Sequence, residues 1–178
     1  MAHYVAFLRA INVGGRTVKM TKLSEIFESL GLSDVETFIA SGNVIFKSRS
    51  ANTAVLEKNV EQALEKSLGF EVATMVRSTP DLARIVGLDA FPGSVTPTST
   101  MYVGLLKSAP DDAARAKVAA LGTATDEFRI EGRELHWLCH TKLMQSIVSG
   151  ALLEKTVKTR ATFRNVTTLR KLAAKYCK

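Results

Sequence analysis

Residues able to bind an anion cluster in the loop after the first apolar segment of the chain. Gly14 and Gly15 can adopt positive φ and expose their backbone N–H groups. Arg16 and Lys19 follow and add positive charge. A helix is predicted to begin near Thr21, and a helix N-terminus attracts anions. Because neither a Walker A nor a dinucleotide-binding sequence is present, the residues alone favour an ordinary glycine turn, with a phosphate or carboxylate site as the alternative.

A second set of anion-binding candidates lies near the end of the chain. Arg160 and Arg164 lie beside the start of the last predicted helix and form a candidate anion site there. Asn165, Thr167 or Thr168 can cap that helix. The alternative, given equal weight, is that Arg164 and Asn165 only hold the last helix in place by hydrogen bonds.

The net charge of +7 is concentrated toward the ends of the chain. Residues 1–90 carry ten basic and ten acidic side chains, so the whole excess lies in residues 91–178. No acidic residue precedes Glu25 or follows Glu154. We therefore expect the two acid-free basic segments to converge on one anionic ligand, the alternative being a solvated helix face.

Two other groups of polar residues carry weaker signals. Ser41 lies in "ASGN" at 40–43, which is ordinary turn chemistry and lacks the nucleophile-elbow sequence. On a strand, His136 and His140 would face the same side but lie about 13 Å apart, and Cys139 would face the other side. Such a set cannot share one zinc ion at about 2 Å from each ligand, so no metal or cofactor is predicted.

The elements that would position these residues follow the same order twice. Patterns in residues 1–90 predict strand, helix, strand, strand, helix, strand and a short helix. Residues 91–100 hold two prolines and a glycine and predict a linker. Residues 101–178 repeat the order, with a helix over 142–158 and another at the end. The repeat is one of elements and not of residues.

The βαββαβ order is that of the ferredoxin-like fold, in which helices cover one face of a four-stranded antiparallel sheet. We predict an α+β protein of two ferredoxin-like (α-β plait) subdomains, at 1–90 and 101–178. One continuous α+β sheet is the alternative. Because there is no run of about 18 apolar residues, no signal-peptide pattern and no disulfide framework, we expect a cytoplasmic location and no membrane partner.

The sequence resembles the family catalogued as domain of unknown function 1697. The resemblance spans nearly the whole chain and rests on "YVAFLRAINVGG" at 4–15, "M..L...F...G" at 20–31, "V.TFIASGNVIF" at 35–46, "TKL" at 141–143, and Thr162, Arg164, Asn165 and Thr168. Members look like two α-β plait subdomains in one chain. The resemblance implies no activity, because none is established for the family.

The family signature falls mostly on polar residues and glycines in predicted loops and helix starts, where binding residues commonly lie. The signature residues are Arg9, Asn12, Gly14, Gly15, Ser41, Gly42, Asn43, Lys142, Arg164, Asn165 and Thr168. With Arg16, they are the predicted ligand-binding residues. Ala10 stands where the family usually has glycine, and Val166 where it usually has tryptophan.

Three classes of function are compatible with the sequence. Binding of a small phosphate- or carboxylate-bearing ligand at residues 9–16 and 164–168 is favoured. Nucleic-acid binding is less favoured, because the chain lacks the aromatic pattern with which ferredoxin-like RNA-binding domains stack bases. An enzyme acting on an anionic substrate would need a general base, and neither signature loop contains an acidic residue.

Overall fold

The computed structural model describes residues 1–177, which form two four-stranded sheets flanked by helices. Two compact units are present: residues 1–83 together with 172–177, and residues 84–171. The predicted subdomain boundaries, 1–90 and 101–178, stay a prediction, because compactness does not show which part folds on its own.

The first unit has its sheet in the order β2-β3-β1-β4, with all neighbours antiparallel. Its elements are β1 (Ala2–Leu8), α1 (Met20–Glu28), β2 (Ser33–Phe38), β3 (Asn43–Ser48), α2 (Thr53–Leu68), β4 (Thr74–Ser78) and the start of α3 (Thr79–Gly87). One face of the sheet packs on α1 and α2, where Phe27 and Leu64 join Ala6 and Leu8 in a core.

Local sequence sets the ends of these helices. The side chain of Asn52 accepts hydrogen bonds from the amides of Ala54 and Val55 at the start of α2. Gly69, with φ of +78°, ends that helix. The helix predicted to begin near Thr21 is α1, which Lys19 precedes and no side chain caps.

The second unit repeats the sheet order as β6-β7-β5-β8. Its elements are β5 (Thr100–Leu106), α4 (Asp112–Ala119), β6 (Asp126–Glu131), β7 (Glu134–Cys139), a 3-10 turn (Leu143–Gln145), α5 (Gly150–Val157), β8 (Ala161–Asn165) and α6 (Val166–Tyr176). Two antiparallel sheets, each with the strand order of a ferredoxin-like fold, confirm the predicted fold class and exclude one continuous sheet.

Two segments of the second unit refine the sequence interpretation. The predicted helix over 142–158 is wrong in its first half, since α5 begins only at Gly150. Serine side chains explain the late start: Ser146 accepts from the amide of Val148, and Ser149 accepts from the amide of Leu152. Residues 91–99 contain neither helix nor strand, and their role as a linker stays a prediction.

A buried arginine occupies the same place in both sheets, on the face away from the helix-covered core. Arg77 lies on β4 opposite Val5, and Arg164 lies on β8 opposite Val103. The side chains are 1% and 8% exposed. The sequence repeat therefore extends to at least one residue, which the comparison of element order did not reveal.

Candidate anion-binding site

The loop of residues 9–19, between β1 and α1, is closed on itself by backbone hydrogen bonds. The amide of Asn12 donates to the carbonyl of Arg16 at 2.9 Å, and the amide of Arg16 donates to the carbonyl of Val13 at 3.2 Å. The two glycines between Val13 and Arg16 have φ of +61° and +82°. Positive φ at both central residues is the geometry of a type I′ turn, which glycine adopts without strain.

Backbone amides of this turn are available to a ligand. Those of Val13, Gly14 and Gly15 donate no hydrogen bond to any residue from 1 to 177. A Cβ added to either glycine would meet no heavy atom within 4 Å, so the backbone is open to solvent. Successive exposed amides in a turn form a concavity that binds anions.

Positive charge surrounds the turn. Arg16 and Lys19 are exposed, and Arg9 is half-buried with its amide bonded to the carbonyl of Ala73. The Cζ atom of Arg16 lies 4.9 Å from the centroid of the Phe70 ring. A guanidinium stacked in this way keeps its N–H edge available for a bidentate anion. No acidic residue lies in the first turn of α1, so its N-terminal dipole adds to the positive potential.

The turn between β2 and β3 is joined to this loop. The amide of Leu8 donates to the carbonyl of Gly42 at 2.8 Å, and Asn12 Nδ2 donates to the carbonyl of Ala40 at 3.0 Å. Asn12 Oδ1 accepts from the amide of Val18 at 2.8 Å. The structure thus brings together the two N-terminal groups of predicted residues, with the side chain of Asn12 holding them in place.

Residues 41–43 have clear structural contacts. Asn43 is buried, and its Nδ2 donates to the carbonyl of Phe38 at 3.0 Å and to Ser41 Oγ at 2.9 Å. Gly42 has φ of +76°, and a Cβ there would lie 3.1 Å from the Cβ of Leu8. Turn geometry and packing against β1 are therefore sufficient to account for Gly42 and Asn43, while Ser41 is exposed.

Two residues other than asparagine and glycine adopt the left-handed conformation in these loops. Ala10 has φ of +57° and Ile39 has φ of +52°. This conformation costs an L-residue about 1–2 kcal/mol, and it is exceptional for a β-branched side chain. Backbone strain of this kind tends to concentrate at functional sites.

Lys142 lies in the second unit, exposed and directly before the 3-10 turn. The loop that carries it is fixed by Ser146, whose hydroxyl donates to Asp126 Oδ1 at 2.9 Å. Asp126 could not be singled out from the sequence, because an acid among threonines in "TATDEF" is indistinguishable from an exposed turn residue.

Asp126 is nevertheless completely buried. Its Oδ1 also accepts from Trp137 Nε1 at 2.8 Å, and its Oδ2 accepts from the hydroxyls of Thr123 and Thr125 at 3.0 and 2.9 Å. Burial raises the pKa of this carboxyl, but the hydrogen bonds from Trp137, the two threonines and Ser146 outweigh burial and hold the pKa below its usual range.

The residues predicted near the last helix have defined contacts in the second unit. Arg164 Nη1 donates to Thr162 Oγ1 at 2.8 Å and to the carbonyl of Phe163 at 3.0 Å. Burial lowers the pKa of Arg164 to about 10. Asn165 Oδ1 accepts from the amide of Thr167 at 2.8 Å and so caps α6. Asn165 therefore makes the contact with the last helix that the alternative interpretation describes, whereas these two contacts of Arg164 stay within β8.

A cleft of about 420 Å³ lies at the start of α6. It is lined by Asn165, Val166, Thr167 and Arg170, and by residues 86–89, 95 and 99–101. Since Asp89 and Arg170 both contribute to the lining, the cleft carries charges of both signs. Thr168, also predicted, is half-exposed in the first turn of α6.

Among residues 1–177, no group of three or more His, Cys, Asp and Glu side chains is arranged to hold a metal ion. None of the helices described there is long and apolar enough to span a bilayer. Cys139 and Cys177 are not in a disulfide. His140 Nε2 lies 2.9 Å from Glu127 Oε2, which pairs these two side chains with each other.

Comparison with known proteins identifies the fold and the family. The chain is similar to a solved structure described as conserved bacterial protein SP0830 from Streptococcus pneumoniae, with a TM-score of 0.76 and 23% identity over 100% of this chain and 99% of that chain. A search of curated proteins finds no match. The model for a family described as "Protein of unknown function (DUF1697)" matches residues 1–136. The chain therefore belongs to the DUF1697 family, as its N-terminal motif predicted.

Proposed function

We propose that this protein binds a small phosphate- or carboxylate-bearing ligand at the turn of residues 12–16. The observation that carries the proposal is the run of backbone amides from Val13 to Gly15, which are bonded to no residue from 1 to 177 and are open to solvent. Arg16 adds a cation beside these amides, and residues 9–24 contain no acid to oppose an anion.

The length of this loop supports a role beyond connecting two elements. In the second unit, residues 107–111 make the same connection, from β5 to α4, and none of them has positive φ. The first unit uses residues 9–19 and four positive-φ residues for the same purpose. Since the fold does not require the longer loop, a ligand is the simplest explanation for it.

Residues 164–168 of the second unit are also proposed to contact a ligand, for a different reason. The N-terminus of α6 faces a cleft, and Arg170 adds a cation to the lining. Asp89 opposes an anion there, so this contact is proposed as the weaker one. Lys142 and Thr168 are exposed or half-exposed and stay proposed ligand residues. Nucleic-acid binding and catalysis are not proposed, because no specific observation favours either. A cytoplasmic location stays part of the proposal.

Thermal denaturation with inorganic phosphate and with acetate tests the proposal. A ligand present at 100 times its Kd adds about 2.7 kcal/mol to the free energy of unfolding. We expect at least one of the two anions to raise the Tm of the wild type and to lose most of that effect in Arg16→Ala. Arg170→Ala should lose less.

Lys58→Ala is the matched control. Lys58 is an exposed cation on α2, outside the loop, so its removal changes the net charge equally. An equal loss of the shift in Arg16→Ala and Lys58→Ala would show that binding is a general charge effect. Absence of a shift in the wild type with both anions would overturn the proposal.

A further inference from the structure

We infer that the ligand of this loop carries an apolar group next to its anionic group, as an aryl or alkyl phosphate or carboxylate does. This inference rests on the proposed function and narrows its ligand class. It starts from two exposed apolar residues in the two joined turns, Val13 and Ile39, which are 56% and 54% exposed.

The position of these side chains follows from one hydrogen bond. Asn12 Nδ2 donates to the carbonyl of Ala40 at 3.0 Å. Val13 follows Asn12 in the chain, and Ile39 precedes Ala40, so the two apolar residues flank this contact. Isolated apolar residues on a surface are common, but these two lie in neighbouring turns that this hydrogen bond joins, next to the exposed amides.

Ile39 adopts a backbone conformation that a β-branched residue rarely takes. Its φ of +52° is strained for a β-branched residue, and glycine or asparagine would relieve the strain. Hydrogen bonds hold the chain on both sides of it, from Asn43 Nδ2 to the carbonyl of Phe38 and from Asn12 to Ala40. Packing does not require the isoleucine, because more than half of its surface is exposed.

The positive charge around the two turns favours an anionic ligand. Arg16 and Lys19 are exposed in the same loop, and residues 37–56, which include the second turn, contain no acid. An anion is therefore favoured over a neutral or cationic ligand. Inorganic phosphate would use the amides and Arg16 but leave the apolar surface in water, whereas an organic phosphate would cover it.

Calorimetric titration with phenyl phosphate and with inorganic phosphate tests the inference. In the wild type, we expect phenyl phosphate to bind about tenfold more tightly, because the ring buries apolar surface of Val13 and Ile39. In Ile39→Gly, inorganic phosphate should keep its affinity, and the preference for phenyl phosphate should fall to about twofold or less. Glycine accepts positive φ, so the variant should fold at least as stably as the wild type.

Val55→Ala provides the control, because Val55 is 45% exposed on α2 and outside both turns. It should keep the wild-type preference. If neither phosphate binds the wild type, the proposed function and this inference both fail. If both phosphates bind equally, the inference fails and the proposed function stands. If Ile39→Gly keeps the full preference, the apolar surface is not the contact and the inference is wrong.

Discussion

In the first sheet Val5 lies between Ile45 and Arg77, and in the second sheet Val103 lies between His136 and Arg164. The adjacent row reads Asn43, Phe7 and Met75 in the first sheet and Glu134, Leu105 and Thr162 in the second. All of these residues are buried. The strand order and the buried arginine are repeated in both sheets. The neighbours of the arginine are mainly apolar in the first sheet and mainly polar in the second.

This comparison changes the interpretation of Arg164. It was predicted to bind a ligand, but Arg77 occupies the same position in a strand where no ligand residue was predicted. Both arginines donate from Nη1 to the carbonyl of the preceding residue at 3.0 Å. The repeated arginine therefore has a structural role in each sheet, and ligand binding by Arg164 would be an additional role.

The largest expected effect is the loss of either arginine. Arg77→Ala should lower the free energy of unfolding by about 3 kcal/mol, because it empties a buried volume and removes a donor from a buried carbonyl. Arg164→Ala should cost somewhat less, since its side chain is the more exposed of the two. Urea denaturation followed by far-UV circular dichroism measures both. If Arg164→Ala has wild-type stability but its Tm no longer rises with phosphate, Arg164 is a ligand residue and not a structural one.

A second difference lies in one cross-strand pair that faces the helices. Ala6 pairs with Val76 in the first unit, and Gly104 pairs with Phe163 at the same position in the second. A Cβ on Gly104 would lie 2.7 Å from Phe163 Cε1. Gly104→Ala should therefore cost about 2 kcal/mol by overpacking.

A double variant gives the second unit the alanine–valine pair that the first unit has. Phe163→Val alone should cost about 2 kcal/mol through the cavity it leaves. Gly104→Ala combined with Phe163→Val should cost less than the two single effects added, by about 1 kcal/mol, because the new methyl group occupies part of the vacated space. Strict additivity in urea denaturation would mean that the two positions do not compensate each other.

His136→Ile places in the second sheet the residue type that Ile45 supplies in the first. His136 Nδ1 is buried and bonded to no residue from 1 to 177, so its replacement should stabilise the protein by about 1 kcal/mol at neutral pH. Burial lowers the pKa of His136, against a smaller opposing effect of Glu134.

The pH dependence of His136→Ile has a definite sign. Below about pH 6.5, the unfolded state gains a proton on His136 that the native state resists, so the wild type loses stability relative to the variant as the pH falls. The advantage of the variant should grow from pH 7.5 to pH 5.5 in urea denaturation. A constant difference over this range would show that His136 titrates normally in the native state.

The smallest expected effect concerns the loops after the first strand of each unit. Ala10→Gly restores the usual family residue at a position where φ is +57°. We expect a gain of about 0.5–1 kcal/mol, the relief of strain being partly offset by the greater freedom of glycine in the unfolded chain. Ser108→Gly, in the corresponding loop, should give no gain, because Ser108 does not have positive φ. Differences in Tm measure both, and equal effects would mean that Ala10 is unstrained.

Fold and site were predictable to different degrees. Hydrophobic periodicity and turn residues were sufficient to predict the element order of both βαββαβ units, because they indicate which residues are buried and where the chain turns. They could not separate Arg164 and Asn43, which are buried, from Arg16, which is exposed, since all three are polar residues in predicted loops or near a predicted helix start. Asp126 escaped notice because its donors come from residues 123, 125, 137 and 146, a convergence that only the folded chain creates.

Trp137 gives the chain an optical property that follows from its surroundings. It is the only tryptophan, it is buried, and its indole N–H is bonded to Asp126. The rings of Tyr102, Phe128 and Phe163 lie 5.7–6.2 Å from it. Its fluorescence therefore reports on the second unit alone, so that the unfolding of this unit can be recorded without a label while circular dichroism follows the whole chain.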